Sequence, residues 1–246
     1  MTATLPVTQQ TEPFYPSADG TPVAETYDHL YALLITLEVL RQYLVGRQAT
    51  VLGNQFLYYA QGFPKLRVAP DVMVIFDVAP GGRDHYKIWE EGQVPKVIFE
   101  MTSQGTKDQD QVFKKTLYEQ IGVTEYWLFD PKGEWIEENL RGYRLRGETY
   151  EQITDNRSEP LQLRLQQEGR LIGFYREDTG EKLLIPDELA QSLRQEVLAR
   201  QQAEERAEQE RQHAEQERQR AEQAETQVQQ LKERLRSLGV DPDVVE

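Results

Sequence analysis

PKVIFEMTSQGTKDQDQVFKKTLYEQIGVTEYWLFDP, residues 95–131, alternates strand, helix and strand. PKVIFEMTS is a strand with apolar neighbours on both sides, DQDQVFKKTLYEQIG a helix ended by Gly122, and VTEYWLFDP a further strand closed by Asp130-Pro131. Working outward, ATVLGNQFLYYAQG (49–62) and RVAPDVMVIFDV (67–78) read as strands separated by turn signals at Gly53-Asn54 and Gly62 to Pro64. Before them, Asp28 to Leu44 places Leu30, Leu33, Leu34, Leu37, Leu40 and Leu44 on one stripe, as a core-packed helix requires. After them, GYRLRGETYEQI and GRLIGFYREDTGEKLL read as hairpins, the second turning at Asp178 to Gly180. The order strand, strand, strand, helix, strand predicts an α/β domain with a mixed sheet rather than a sandwich or a bundle.

Composition changes near residue 187. Aromatic and β-branched residues give way to Gln, Glu, Arg and Ala, so the core belongs to the first 186 residues. We expect a leader over 1–13, a folded domain over 14–186, a charged heptad-repeat helix over 187–238 and a tail over 239–246. The heptads are AEQERQH from Ala207, AEQERQR from Ala214 and AEQAETQ from Ala221. With Ala207, Ala214, Ala221, Val228 and Leu235 at a, the d positions are Glu210, Glu217, Ala224, Leu231 and Leu238, so the seam is apolar only near its C-terminal end. Both a solvated helix laced by Glu/Arg pairs and a coiled-coil homodimer fit this pattern.

The charge balance narrows the function. Lys and Arg total 28 against 42 Asp and Glu, a net charge of -14, which argues against broad electrostatic coating of nucleic acid or anionic lipid but leaves room for a local basic groove. There is no cysteine, which excludes disulfides, thiolate zinc sites and a cysteine nucleophile. His29, His85 and His213 are too widely spaced to suggest an imidazole-based centre, so an oxygen-held metal is expected. No run of about 18 apolar residues and no signal-peptide pattern occurs, so a soluble, cytoplasmic protein with no membrane association is expected. Walker, dinucleotide and nucleophile-elbow motifs are absent.

Three residues form a chemical set. Glu100 lies inside the apolar strand VIFEM, and an isolated buried carboxylate is protonated, paired or metal-bound. Asp71 follows Pro70 at the entry to VMVIF. At 100° per residue, Lys114 falls beside the stripe Phe113, Leu117 and Ile121, whereas Lys115 points almost opposite; Asp110, one turn earlier, is placed to orient Lys114. Two carboxylates suit a hard cation, Mg²⁺ or Mn²⁺, and the ammonium suits a phosphate, which together point to phosphodiester hydrolysis.

At these residues the chain resembles the PD-(D/E)XK nuclease superfamily, and within it the Uma-two family of restriction endonucleases, over about residues 14 to 186. The likeness is carried by YPSADGTPVAET at 15–26, RVAPDVMVIFDV at 67–78, YKIWEEGQVPKVIFEMTSQGT at 86–106, DQDQVFKKTLYEQIGVTEYWLFDP at 108–131 and LRGYRL at 140–145. The resemblance implies a restriction-endonuclease-like mixed β-sheet flanked by helices, and a Mg²⁺-dependent endonuclease acting on DNA. It implies metal ligation by Asp71 and Glu100, with the Met101 carbonyl able to complete the shell. It also puts Thr102 where the superfamily carries a lysine, and so implies that Lys114 has taken over from the following helix. Glu25 and Glu38 are candidate additional acids. Lys65, Arg67, Arg83, Lys87, Lys107 and Lys115 are candidate phosphate contacts, and Trp89, Tyr126 and Trp127 read as core or platform aromatics. A catalytically idle nuclease fold serving as a binding or assembly module is the alternative.

Overall fold

The computed structural model describes residues 13–20 and 25–239; the leader and tail expected at the termini lie almost wholly outside these. In chain order the elements are α1 (Tyr27–Tyr43), β1 (Ala49–Gly53), β2 (Leu57–Tyr58), β3 (Arg67–Val68), β4 (Val72–Phe76), β5 (Tyr86–Lys87), α2 (Ile88–Glu91) and β6 (Val97–Met101). A π-helical turn (Gln109–Lys114) then runs into α3 (Lys115–Ile121), followed by β7 (Glu125–Phe129), β8 (Leu140–Arg146), β9 (Thr149–Ile153), β10 (Arg157–Ser158), β11 (Leu163–Glu168), β12 (Leu171–Arg176) and α4 (Pro186–Ser237).

The main sheet has six strands in the order β1-β4-β6-β7-β8-β9. Its one parallel pair is β6 with β7, and the stretch 95–131 supplies both strands together with the helical crossover that a parallel pair needs. The other pairs are antiparallel. Two three-stranded sheets, β10-β11-β12 and β3-β2-β5, complete the domain. The architecture is thus the expected mixed α/β one, followed by a long C-terminal helix.

Pleating sorts the sheet's side chains between two cores. Val72, Val74, Phe99, Met101, Trp127 and Phe129 pack with Ala32, Leu33 and Leu40 of α1. Met73, Ile75, Ile98, Tyr126 and Leu128 pack with Leu117 and Tyr118 of α3. Glu100 lies between Phe99 and Met101 in sequence, so alternation turns it toward the α3 side.

Three local readings are corrected. The inward arc of α1 is Asp28, His29, Ala32, Leu33, Ile35, Thr36, Val39 and Leu40. Leu30 and Leu34 are instead about half exposed, at 47% and 49%. Two polar residues rotate the helix, because Asp28 reaches Arg170 and His29 reaches Asp71. On the helix after β6, Phe113 is 52% exposed and the buried stripe is Asp110, Lys114, Leu117 and Tyr118. The hairpin expected around Asp178 to Gly180 retains only a bridge, Tyr175 to Lys182, while β12 pairs along its length with the preceding β11.

Contacts divide the chain into a unit ending at Pro186 and a second from Asp187 onward. In the second unit, α4 is a 52-residue helix without a buried residue among those described. At about 1.5 Å per residue it is roughly 78 Å long. Ion pairs such as Arg200 with Glu204 and Arg218 with Glu222, one turn apart, run along it. No described helix is long and apolar enough to cross a membrane.

Candidate active site

The site forms where two antiparallel strands exchange ends. Val72, the first residue of β4, pairs with Phe99 of β6, so Asp71 just ahead of β4 falls beside Glu100 and Met101 at the end of β6. The Asp71 backbone N–H points to Glu100 Oε2 at 3.4 Å, and Asp71 Oδ2 accepts from the Met101 N–H at 2.6 Å. Pairing thus holds both carboxylates without help from a flexible loop.

Lys114 enters from the helical crossover. Its Nζ donates to Glu100 Oε2 at 2.8 Å and lies 3.0 Å from Asp110 Oδ1. The Glu100 side chain is fully enclosed and that of Lys114 is 10% exposed. Removing two opposite charges from water costs several kcal/mol each, so such a pair persists only if well satisfied. Here Glu100 has three donors, because Tyr118 Oη donates to Oε1 at 2.7 Å in addition to Lys114 and the Asp71 N–H. The structure therefore brings Asp71, Glu100 and Lys114 together, with Asp110 as a second partner for the ammonium.

A third wall comes from the start of α1. Thr26 caps this helix, accepting from the His29 N–H at 3.4 Å, and this turns the imidazole toward the strand ends. His29 Nε2 lies 3.1 Å from Glu25 Oε2 and 3.5 Å from Asp71 Oδ2. Glu25, His29 and Asp71 offer ligand atoms within 4.8 Å of one another, close enough to share an ion. Sequence spacing set the histidines aside, and the only early signal of this one is its position four residues after Glu25. Glu38 is elsewhere: it pairs with Arg41 and Gln42 on the exposed side of α1.

Electrostatics follow from enclosure. Burial, reinforced by Asp71 and Asp110 and opposed by Lys114, raises the Glu100 carboxyl to about 8. Burial alone would pull Lys114 down, but Glu100, Asp110 and Asp71 outweigh it and raise its pKa, keeping the ammonium charged. Burial likewise raises Asp110 and Glu25, partly offset by Lys114 and His29 respectively. For His29, burial is outweighed by Asp71 and Glu25, so its pKa is raised as well.

The remaining candidates are distributed unevenly. Thr102, at the position expected to carry lysine, is buried, and its Oγ1 has no hydrogen-bond partner. It lines a crevice with His29, Ser103, Asp130, Lys132 and Trp135. Lys107 Nζ sits 4.3 Å from the Trp135 ring centroid. Arg83 is held by Glu91, and Lys87 by Glu90. Lys115, expected to face water, lies over the Tyr143 ring at 3.9 Å. Tyr126 and Trp127 are wholly buried core residues. A larger hollow between the end of α1 and β1 is lined by no acidic residue among those described.

The mixed sheet presents an aspartate and a glutamate from adjoining strand ends, with a lysine from the crossover helix, the arrangement that the resemblance to restriction-endonuclease-like nucleases implies. The family model Uma2, described as "Putative restriction endonuclease", matches residues 4–170, and the chain belongs to that family. Among solved structures it is similar to a crystal structure described as a putative nuclease belonging to DUF820 from Anabaena variabilis, at 14% identity and a TM-score of 0.40, over 58% of this chain and 77% of that one. No curated protein matches the chain.

Proposed function

We propose that this protein is an endonuclease that hydrolyses phosphodiester bonds in DNA with the help of a divalent cation, Mg²⁺ or Mn²⁺. Asp71 and Glu100 are its metal ligands and Lys114 its cationic catalytic residue. The observation that carries the proposal is the meeting of the Lys114 ammonium with Glu100, next to Asp71, in an enclosed corner whose His29 wall also lines a crevice.

The donor set fits such an ion: it offers hard carboxylate oxygens, and a buried His29 nitrogen without a hydrogen-bond partner faces the same corner. When bound, the cation supplies Lewis-acid polarisation of a phosphoryl oxygen and activation of a water. Lys114 acts as a fixed positive charge toward the phosphate rather than as a base, because its neighbours keep it protonated. Asp110 holds that ammonium in place, Tyr118 orients Glu100, and the Met101 N–H orients Asp71. At the crevice, Lys132 and the stacked Lys107 and Trp135 supply a phosphate contact and a platform for an unpaired base.

The test is incubation of purified protein with plasmid, linear and single-stranded DNA plus Mg²⁺ or Mn²⁺. Asp71→Ala and Glu100→Ala should reduce cleavage to background, and Lys114→Ala should cost roughly a hundredfold or more, the scale for losing one preorganised charge in a transition state. Lys115→Ala should change little. Nicking that persists in Glu100→Ala would place the activity elsewhere. The idle-fold reading is favoured by one observation, Thr102 in place of a strand lysine. It predicts no saturable Mn²⁺ binding, whereas the enzyme predicts binding lost in Asp71→Ala.

A further inference from the structure

We infer that His29, together with Glu25, completes the cation shell begun by Asp71, and that this imidazole shifts the site from Mg²⁺ toward a first-row transition ion such as Mn²⁺. The inference rests on the proposed nuclease reading and deepens it.

The imidazole is placed as a ligand between two carboxylates. Its side chain is 6% exposed, and Nε2 makes no hydrogen bond although two carboxylates flank it. A buried nitrogen that lies 3.1 Å from one carboxylate and 3.5 Å from another, in hydrogen-bond geometry with neither, is placed where a cation can bridge all three. The donor atoms of Glu25, His29 and Asp71 lie within 4.8 Å of one another, while Glu100 accepts from Tyr118 on one oxygen and from Lys114 and the Asp71 N–H on the other, and keeps a lone pair for the ion. Glu25 and His29 therefore add donors on the α1 side of Asp71, opposite Glu100 and Lys114. A set of carboxylates and one imidazole is a mixed oxygen and nitrogen site. Mg²⁺ keeps to oxygen and gives up its waters reluctantly, whereas imidazole binds readily to first-row transition ions.

The experiment titrates Mn²⁺ into tag-free, full-length protein and examines the bound ion by pulsed electron paramagnetic resonance. The expected result is bound Mn²⁺ carrying a ¹⁴N coupling that converts to the ¹⁵N pattern when histidine is ¹⁵N-labelled. His29→Gln should abolish the coupling and weaken Mn²⁺ binding roughly tenfold or more, the scale for disturbing a metal shell. It should alter Mg²⁺ binding much less. Mn²⁺ bound to the wild type without a nitrogen coupling, or a coupling that survives His29→Gln, overturns the inference and leaves the nuclease reading standing, provided Asp71→Ala still abolishes cleavage. No bound Mn²⁺ into the millimolar range, with no cleavage, overturns the nuclease reading and this inference with it. Should His29→Gln fail to fold, the His85→Gln/His213→Gln protein decides, since His29 is then its sole imidazole. A coupling retained there supports ligation, and a coupling lost refutes it.

Discussion

At the scale of single residues, the site holds protons that the unfolded chain would release. Glu100 has an ordinary value of 4.5 and is raised by burial to about 8. Glu25, Asp110 and His29 are shifted in the same direction. Between those limits the folded state binds more protons than the unfolded one, so ion-free stability declines as pH rises from the ordinary carboxylate range toward 8. The melting temperature of metal-free protein should therefore be lower at pH 8.5 than at pH 6, and Glu100→Gln should flatten that slope; a melting temperature that climbs over the interval would contradict the assignment. Divalent-ion binding should show the opposite trend, strengthening as pH rises, because the ion competes with those protons. Titrations at the two pH values check this. Asp71, Glu100 and Lys114 were legible because each interrupts or borders an apolar pattern with a strong period. His29 and Tyr118 were not, since a lone histidine or tyrosine on a helix gains meaning only from the strands opposite. Glu38 shows the converse: an acid on the right helix, turned to the wrong side.

At the scale of elements, the crossover between β6 and β7 carries the most consequence. Its first turn is π-wound over Gln109–Lys114, a geometry found mostly as single turns and often at functional sites. The buried Tyr126 Oη donates to the Asp110 carbonyl at 2.9 Å, tying this turn to the sheet. Deleting Gln111 should return the segment to α-winding and place Asp110 three rather than four residues before the lysine, which disturbs the 3.0 Å contact between its carboxylate and the ammonium. We expect near-native circular dichroism with cleavage and Mn²⁺ affinity both reduced; unchanged activity would show that the wide turn is dispensable. Sequence periodicity found the helix, its Gly122 terminus and both strands. The wide turn escaped it because an assumed 100° step cannot register an extra residue, and this is also why Phe113 was assigned inward. For α1, leucine spacing gave the helix but not its rotation, which the polar anchors Asp28 and His29 set through partners far along the chain.

At the scale of the whole molecule, the unit ending at Pro186 contains both cores, while α4 buries nothing of its own. Leu231 and Leu235 on α4 and Leu238 just past its end are exposed at 62%, 39% and 73%, the spacing of a short apolar seam. Truncation after Pro186 should leave the thermal transition of the first unit within a degree or two, since surface helices without buried contacts add little. If the seam pairs two copies, sedimentation should show the mass per particle halving beyond the loss of the tail itself; an unchanged particle number would remove the coiled-coil reading. The composition break near residue 187 was visible because a core needs aromatic and branched residues that the heptads lack. The lysine is borne on a short wound segment instead of a strand. Its carboxylate neighbours are clamped by ladder hydrogen bonds, but the ammonium owes its place to a single turn resting on the sheet. Mild urea that unseats this turn should silence the enzyme while the strands remain paired, so inactivation should precede unfolding.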